Sequence, residues 1–477
     1  MSLANIQHKY EQSSQLNTLQ NWLINNKNKL ILNGLSGSSL SFVLAEIFKK
    51  STHSMLLVLE EKEEAAYIFN DLEALIPDKS LIFYPASYKR PYQIEEVDNA
   101  NILLRSEVLN KINSSRKPLF TVTYPDALFE KVVTKSTLKK NTLTIHVSDS
   151  ISLDFVNEVL FEYQFQRVDF VSSPGEFSVR GGIVDVFSFS NDKPYRIEFF
   201  GDEVESIRTF DIESQLSLQK LNKIQLLPNI ENKAMLENRE SFLNYIPNNT
   251  IVIHKNKELI FNTLDKLFEK SEKAFENSAA LLQSTAPINL FTNGSELSQL
   301  LNTFKTIQLG TFDADDLNQE SIVFNTKPQP SFNKHFELLF DNLQQNTADG
   351  FTNYLCCTND KQAQRFHDIF EDIDRKISYK TLILPLYQGF IDIDNQIVCY
   401  TDHQIFERYH KFRLKEGFAK NQSISIKELT NLEIGDYVTH IDHGIGKFGG
   451  LQKIEIEGKQ QETIKLIYGD RDLLYIS

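Results

Sequence analysis

"ILNGLSGSSLSFVLAEIF", residues Ile31 to Phe48, carries an apolar strand into a Gly/Ser-rich turn and on into a helix with apolar faces. Such a backbone presents N–H groups and a helix N-terminus to a phosphate. The phosphate-loop motif G-x-x-x-x-G-K-[ST] adds a Lys for the β/γ-phosphates and a hydroxyl for Mg²⁺. In the same frame this chain offers Gly34, Gly37, Ser39, Leu40 and Ser41, so the second motif glycine is Ser39 and the lysine is Leu40. Removing one partner from a partly desolvated charge pair costs roughly 3–5 kcal/mol. At ~1.4 kcal/mol per decade, that is about two to three decades of affinity. Ser39 also adds a Cβ where backbone must approach the phosphate. The stretch reads either as an ordinary strand–turn–helix or as a degenerate phosphate loop. Neither gives an active nucleotide site, and no cofactor is expected in this chain.

The rest of the sequence sets this loop in a multidomain chain. The 477 residues suggest roughly three domains. The 41% hydrophobic and 24% charged content is ordinary for globular proteins. No apolar run is long enough to span a bilayer, and the polar N-terminus carries no signal peptide. Three cysteines, two of them adjacent, cannot build a disulfide framework, which fits a reducing, cytoplasmic setting. A net charge of −14 argues against a chain devoted to nucleic acid, and the run Lys131–Lys140 reads as a solvated surface.

"SMLLVLE", "SLIFYP" and "PLFTVTYP" alternate with helical segments such as Lys62–Leu75, where Ala65, Ile68, Phe69, Leu72 and Leu75 recur at helical spacing. That alternation predicts a parallel α/β sheet. From Thr142 to Leu227 the texture changes to short β-rich runs punctuated by glycine, and strand–helix alternation returns with "TIVIHKNKELIFNTLDKLF". A β domain lodged inside an α/β domain is the simplest account. Residues 320–336 read as a linker to a second α/β unit, and Gly-rich short strands near the C-terminus suggest a small SH3-like barrel. The chain stops at Ser477 directly after a strand, so a fragment of a longer protein is expected.

"PGEFSVRGGIVDVFSFSNDKPYRIEFFGDEVESIRTFD", Pro174 to Asp211, closely resembles a signature shared by two bacterial repair families, the B component of the excinuclease and the transcription-repair coupling factor. Three features favour the second family. Leu40 fits its degenerate loop, and the strand ending Ile253-His254-Lys255 lacks the acids an ATPase needs for Mg²⁺. The stretch after "YPASYKRPY" passes quickly into a helix, without the aromatic-rich hairpin with which the excinuclease B component clamps DNA. "LEIGDYVTHIDHGIGKFGGL" then resembles the start of the CarD-like RNA polymerase-interacting domain of the coupling factor. The chain is thus similar to the N-terminal region of that family.

The resemblance implies a multidomain α/β protein. A degenerate RecA/P-loop-like domain (1–128 and 217–328) would carry an inserted β-rich domain (129–216). A second small α/β domain (329–424) and an SH3/Tudor-like barrel (429–477), cut short at Ser477, would follow. It also implies an adaptor without catalytic or metal-binding residues. Its partners would be the A component of the excinuclease and the β subunit of RNA polymerase. ATP, Mg²⁺ and double-stranded DNA would belong to a motor of the parent family, a double-stranded-DNA translocase whose motifs do not occur in this sequence. The alternative is an ATP-dependent helicase component like the excinuclease B component.

For the recruiting surface, Arg167 and Arg180 are the leading candidates, with Phe187, Arg196 and Phe199 as supports, because Arg and aromatics dominate interfaces. Alternation in a strand buries every second residue, so Phe187 and Phe199 also have a core reading. For the polymerase contact, Ile464, Lys465 and Leu466 in "ETIKLIY" are expected along an exposed strand edge, with a buried barrel strand as the other reading. His440, Asp442 and His443 form H-x-D-H, which without further nearby ligands reads as structural. Asp402, His403 and Glu407 lack an accompanying nucleophile. They read as a strand entering a helix capped by Asp402, and Cys356 and Cys357 read as core.

Overall fold

Leu30, Ile31 and Leu32 are buried, as an apolar run in a parallel sheet covered on both faces must be. Their strand, Lys29–Asn33, lies second from one edge of a seven-stranded sheet. The order is Glu320–Val323, Lys29–Asn33, Lys305–Leu309, Ile251–Lys255, Met55–Val58, Phe120–Thr123, Leu81–Phe83. All neighbours are parallel, so every strand delivers its following loop to the same edge of the sheet. The computed structural model describes residues 2–25, 28–76, 80–87, 99–189, 191, 193–212, 214–228, 239–276, 285–310, 320–371, 377–408, 434–440, 444–456, 459–469 and 472–476. They fall into two units, residues 1–418 and 419–477.

The polypeptide leaves the seven-stranded sheet after Phe120–Thr123 and returns at Ile251–Lys255. A two-stranded neck, Val132–Val133 against Arg239–Glu240, closes the excursion. The insert's boundaries differ from the expected 129 and 216. Leu138 packs in the α/β core, whereas Leu143–His146 pairs with Lys223–Leu226 on the insert side. Those long-range pairings, invisible in local composition, set the limits. The insert's six-stranded sheet runs Ser217–Leu221, Glu203–Phe210, Tyr195–Phe200, Ile183–Val186, Glu176–Arg180, Gln166–Arg167. Phe177, Val184, Val186, Tyr195, Ile197 and Ile207 form one face. It packs with Val156 and Leu160 of helix Leu153–Glu162, whose first turn is capped by Ser152 Oγ accepting from the Phe155 N–H.

The expected linker at 320–336 is instead structural. Glu320–Val323 is the edge strand of the first sheet, and Thr326–Pro328 is the edge strand of a second. That second sheet continues with Phe390–Asp392, Ile397–Thr401, Thr352–Cys357 and Lys380–Ile383. Its two faces serve different cores. Leu355, Cys357, Val398 and Tyr400 face helices Phe336–Ala348 and Asp360–Glu371. Tyr354, Cys356, Leu382, Ile397 and Cys399 belong to the same apolar cluster as Phe42, Leu44 and Leu57 of the first sheet's layers. The two α/β layers are therefore welded through one core.

In residues 419–477 the described strands are Tyr437–His440, Gly444–Ile456, Lys459–Tyr468 and Asp472–Ile476. They pair successively as an antiparallel meander, with Phe448 and Leu466 buried. Among the described residues no pairing closes this sheet into the expected barrel. No helix among the described residues is long and apolar enough to cross a membrane.

Candidate functional site

In parallel α/β sheets ligands bind beyond the carboxyl ends of the strands, where Gly34–Ser38 links Lys29–Asn33 to helix Ser39–Lys50. The loop turns at two glycines with positive φ, Gly34 and Gly37, and other protein groups pack into it. Gly34 (φ 78°) lies so close to the Phe324 carbonyl that a Cβ there would sit 2.0 Å from its oxygen. The Ser36 N–H donates to Thr326 Oγ1 at 2.7 Å, and that hydroxyl donates to the Gly34 carbonyl at 2.7 Å. Ser39 Oγ turns back to donate to the Ser36 carbonyl at 2.7 Å. The Ser38 N–H donates to the Gln388 carbonyl at 3.0 Å. Ser38 Oγ, at the helix N-cap, accepts from the Gln388 N–H at 3.0 Å and does not cap its own helix. Leu40, at the lysine position, packs against the apolar core.

A carboxyl does stand at this helix start, and it is the chain's own. Asp71, fully buried on helix Lys62–Leu75, accepts from Ser41 Oγ at 3.1 Å and from the Tyr387 N–H at 2.7 Å. Burial pushes its carboxyl up to about 7, against the pull of hydrogen bonds from Ser38, Tyr387 and Ser41. Two strands away, where an ATPase would place metal-binding acids, Lys255 Nζ lies 2.8 Å from Glu64 and 3.3 Å from Glu60. A lysine ammonium thus occupies the carboxylates a divalent ion would need.

On the insert, strand register lines up Arg208, Arg196, Asp185 and Ser178 across the face opposite the helix. Arg180 belongs to the same face. Asp185, with no exposed surface, receives Arg196 Nε at 2.7 Å and Nη2 at 2.8 Å, and also pairs with Arg180. The Arg180 guanidinium lies 4.9 Å from the ring centre of Phe170, which is 64% exposed. Arg180 keeps 40% of its side chain in solvent, against 16% for Arg196. Arg167 is exposed on the edge strand, opposite Phe177 in register, so it does not share a row with the other two arginines.

The two candidate phenylalanines are corrected by burial. Phe187 lies on the arginine face but is enclosed with Val171 and Phe210 in a small second core. Phe199 belongs to the helix-covered core, and its neighbour Phe200 is the exposed one, at 81%. Neither Phe187 nor Phe199 can touch a partner while the sheet is intact. Sequence reasoning passed over Asp185 and Phe170; the alternation of Asp185 with Val184 and Val186 was the available signal for the first.

Ile464–Leu466 do not lie on an edge. Their strand is paired on both sides, Leu466 opposite both Phe448 and Leu474, and Lys465 opposite Tyr475. The sheet's edge strands are Tyr437–His440 and Asp472–Ile476. Asp442, His443 and the His440 side chain lie outside the described residues. Cys356 and Cys357 are buried. Thr401, not Asp402, occupies the N-cap before Asp402–Ile405, and the Asp402 carboxylate accepts from Thr358 Oγ1 and Arg408.

Comparison with known families agrees with this arrangement. Residues 143–231 match the UvrB interaction domain, spanning the insert as its strand pairing delimits it. Residues 432–477 match the CarD-like/TRCF RID domain. Together with a sheet whose Gly/Ser-rich loop is filled from within, these matches describe a multidomain chain in which two stretches are similar to interaction domains known from repair proteins. More particularly, the chain resembles the N-terminal region of transcription-repair-coupling factors over nearly its whole length. The relative from Bacillus subtilis is 24% identical across 99% of this chain and 46% of its own length. One from Staphylococcus epidermidis is 25% identical across 94% and 44%, and one from Rickettsia typhi 23% across 91% and 44%. The chain spans about half the length of these curated relatives.

Proposed function

We propose that this chain is the adaptor part of a transcription-repair coupling factor. Its insert recruits the excinuclease A component, its C-terminal unit holds RNA polymerase through the β subunit, and it neither binds nor hydrolyses ATP. In this reading the seven-stranded sheet is a degenerate RecA/P-loop-like domain, and the C-terminal meander begins an SH3/Tudor-like barrel. ATP, Mg²⁺ and translocation on double-stranded DNA belong to other parts of a cytoplasmic parent protein. The observation that carries this reading is the exposed guanidinium of Arg180, stacked on exposed Phe170 within the region that matches the UvrB interaction domain. Arg180 and Arg167 make the contact. Arg196 acts through Asp185, holding the carboxylate that orients Arg180.

The test is the affinity of the chain for the purified excinuclease A component. Arg167→Ala with Arg180→Ala removes two charge-assisted contacts and weakens binding by about a hundredfold or more, at roughly 1.5–3 kcal/mol each. Equal affinity for the double variant rules those residues out. Calorimetry with Mg-ATP separates the adaptor from an ATP-dependent helicase component, since micromolar binding by the unmodified chain contradicts the adaptor reading.

A further inference from the structure

The segment Leu384–Gly389, which joins two strands of the second sheet, runs directly across the mouth of the Gly34–Ser38 loop. We infer that the second α/β layer is a resident plug of the spent phosphate loop, and that the loop keeps its glycine geometry in order to seat this plug. Three independent features carry the inference.

The first is donor accounting. A phosphate cradle works through free backbone N–H groups, and three of the five in Gly34–Ser38 are committed to other protein groups, two of them in the second layer. The Gly34 N–H donates to Asn33 Oδ1 at 2.7 Å, the Ser36 N–H to Thr326 Oγ1, and the Ser38 N–H to the Gln388 carbonyl. The second is fit. Gly37 (φ 54°) faces the strap so closely that a Cβ there would lie 2.7 Å from the Gly389 carbonyl oxygen and 3.1 Å from that of Gln388. A side chain at position 37 and the strap cannot both be accommodated, so the glycine serves the plug directly. The third is anchorage. Tyr387 stacks on Tyr67 with ring centres 4.0 Å apart, and its N–H reaches Asp71. Leu384, Leu386 and Phe390, each at most 3% exposed, sit in the core shared with Phe42. A lid that opens for substrate would not bury its hinge residues in the core of its own seat. The strap is a fixture.

The layer thereby gains a role: it converts a ligand site into a joint between the sheet that bears the insert and the second sheet. The inference rests on the loop being without nucleotide, as proposed above, and its test is chosen to fail separately. Restoring the motif side chains in the full chain, Ser39→Gly with Leu40→Lys, is expected to give no heat with Mg-ATP because the seat stays filled. Micromolar binding by that variant would overturn the plug while leaving the adaptor reading of the natural chain standing. The second measurement is hydrogen exchange on Gly37→Ala. The added Cβ is expected to speed exchange at residues 36–38 and 387–389 together, by about tenfold or more, while Thr352–Cys357 stays protected. Faster exchange in the loop with an undisturbed strap would overturn the joint.

Discussion

Ser38 and Gln388, 350 positions apart in the chain, grip each other twice: each donates its backbone N–H, one to a carbonyl and the other to a hydroxyl, at 3.0 Å. Ser38→Ala deletes the hydroxyl and leaves the Gln388 N–H without its acceptor. An unsatisfied buried donor costs about 1–3 kcal/mol. Urea unfolding of residues 1–418 should show that loss in the midpoint with an unchanged slope, whereas a shift below about 0.5 kcal/mol, the size of an ordinary surface substitution, would mean the pair bears no weight.

Two glycines with similar backbone angles should respond differently to alanine. Gly34 (φ 78°) faces the Phe324 carbonyl, while Gly181 (φ 59°) has open space around its would-be Cβ. Gly181→Ala should cost only the left-handed strain, about 1 kcal/mol. Gly34→Ala should cost at least about 3 kcal/mol, because backbone must also move. Similar thermal shifts for the two would show that strain alone matters at both.

Asp71 gives a pH signature. Its carboxyl, raised in the fold to about 7 from the ordinary 3.8, holds a proton that the unfolded chain releases first. The stability this confers is complete below about pH 4 and is lost as pH rises to about 7, at no more than about 1.4 kcal/mol per pH unit. Asp71→Asn cannot titrate. Its stability relative to the parent should therefore climb from about pH 4 to 7 and level off above, as denaturation series at fixed pH will show; a constant difference refutes the assignment.

Within the insert, burial separates packing from docking. Phe187→Ala should destabilise by about 3–5 kcal/mol through cavity formation. Phe200→Ala, at an exposed site, should change stability by no more than about 0.5 kcal/mol. Arg180→Ala should lower affinity for the excinuclease A component far more than it lowers the melting temperature. A Phe187→Ala variant that stays stable yet loses that binding would return Phe187 to the interface.

In the C-terminal unit, Leu466→Ala should increase protease sensitivity across residues 434–476, at a cost of about 2–5 kcal/mol. Lys465→Ala should leave sensitivity unchanged, and its affinity for the polymerase β subunit then tests Lys465 without interference from misfolding.

The sequence made the alternating α/β organisation and the loop's missing charge legible, because apolar periodicity and the Leu40 substitution are local facts. What fills the loop was not legible. No pattern near Ser38 points to Gln388, and hydrogen bonds of that kind arise only when two distant layers meet. The aromatic assignments turned on single-residue parity: unbroken alternation from Tyr195 through Ile197 leaves Phe199 inside and Phe200 outside. Phe187 has the expected face but is roofed by Val171 and Phe210 from other segments. Likewise, the position of Ile464–Leu466 depended on whether Asp472–Ile476 pairs beside them, which composition cannot reveal.

The two-sided sheet Thr326–Thr401 also governs how such proteins can be inherited and dissected. Tyr354, Cys356 and Leu382 have their solvent-excluding neighbours on the far side of the chain's first three hundred residues. A recombination event or a cloning boundary near Pro328 would bare matching greasy surfaces on both products. The halves should therefore travel as an inseparable pair, with the insert, closed off by its two-stranded neck, as the portion free to be exchanged.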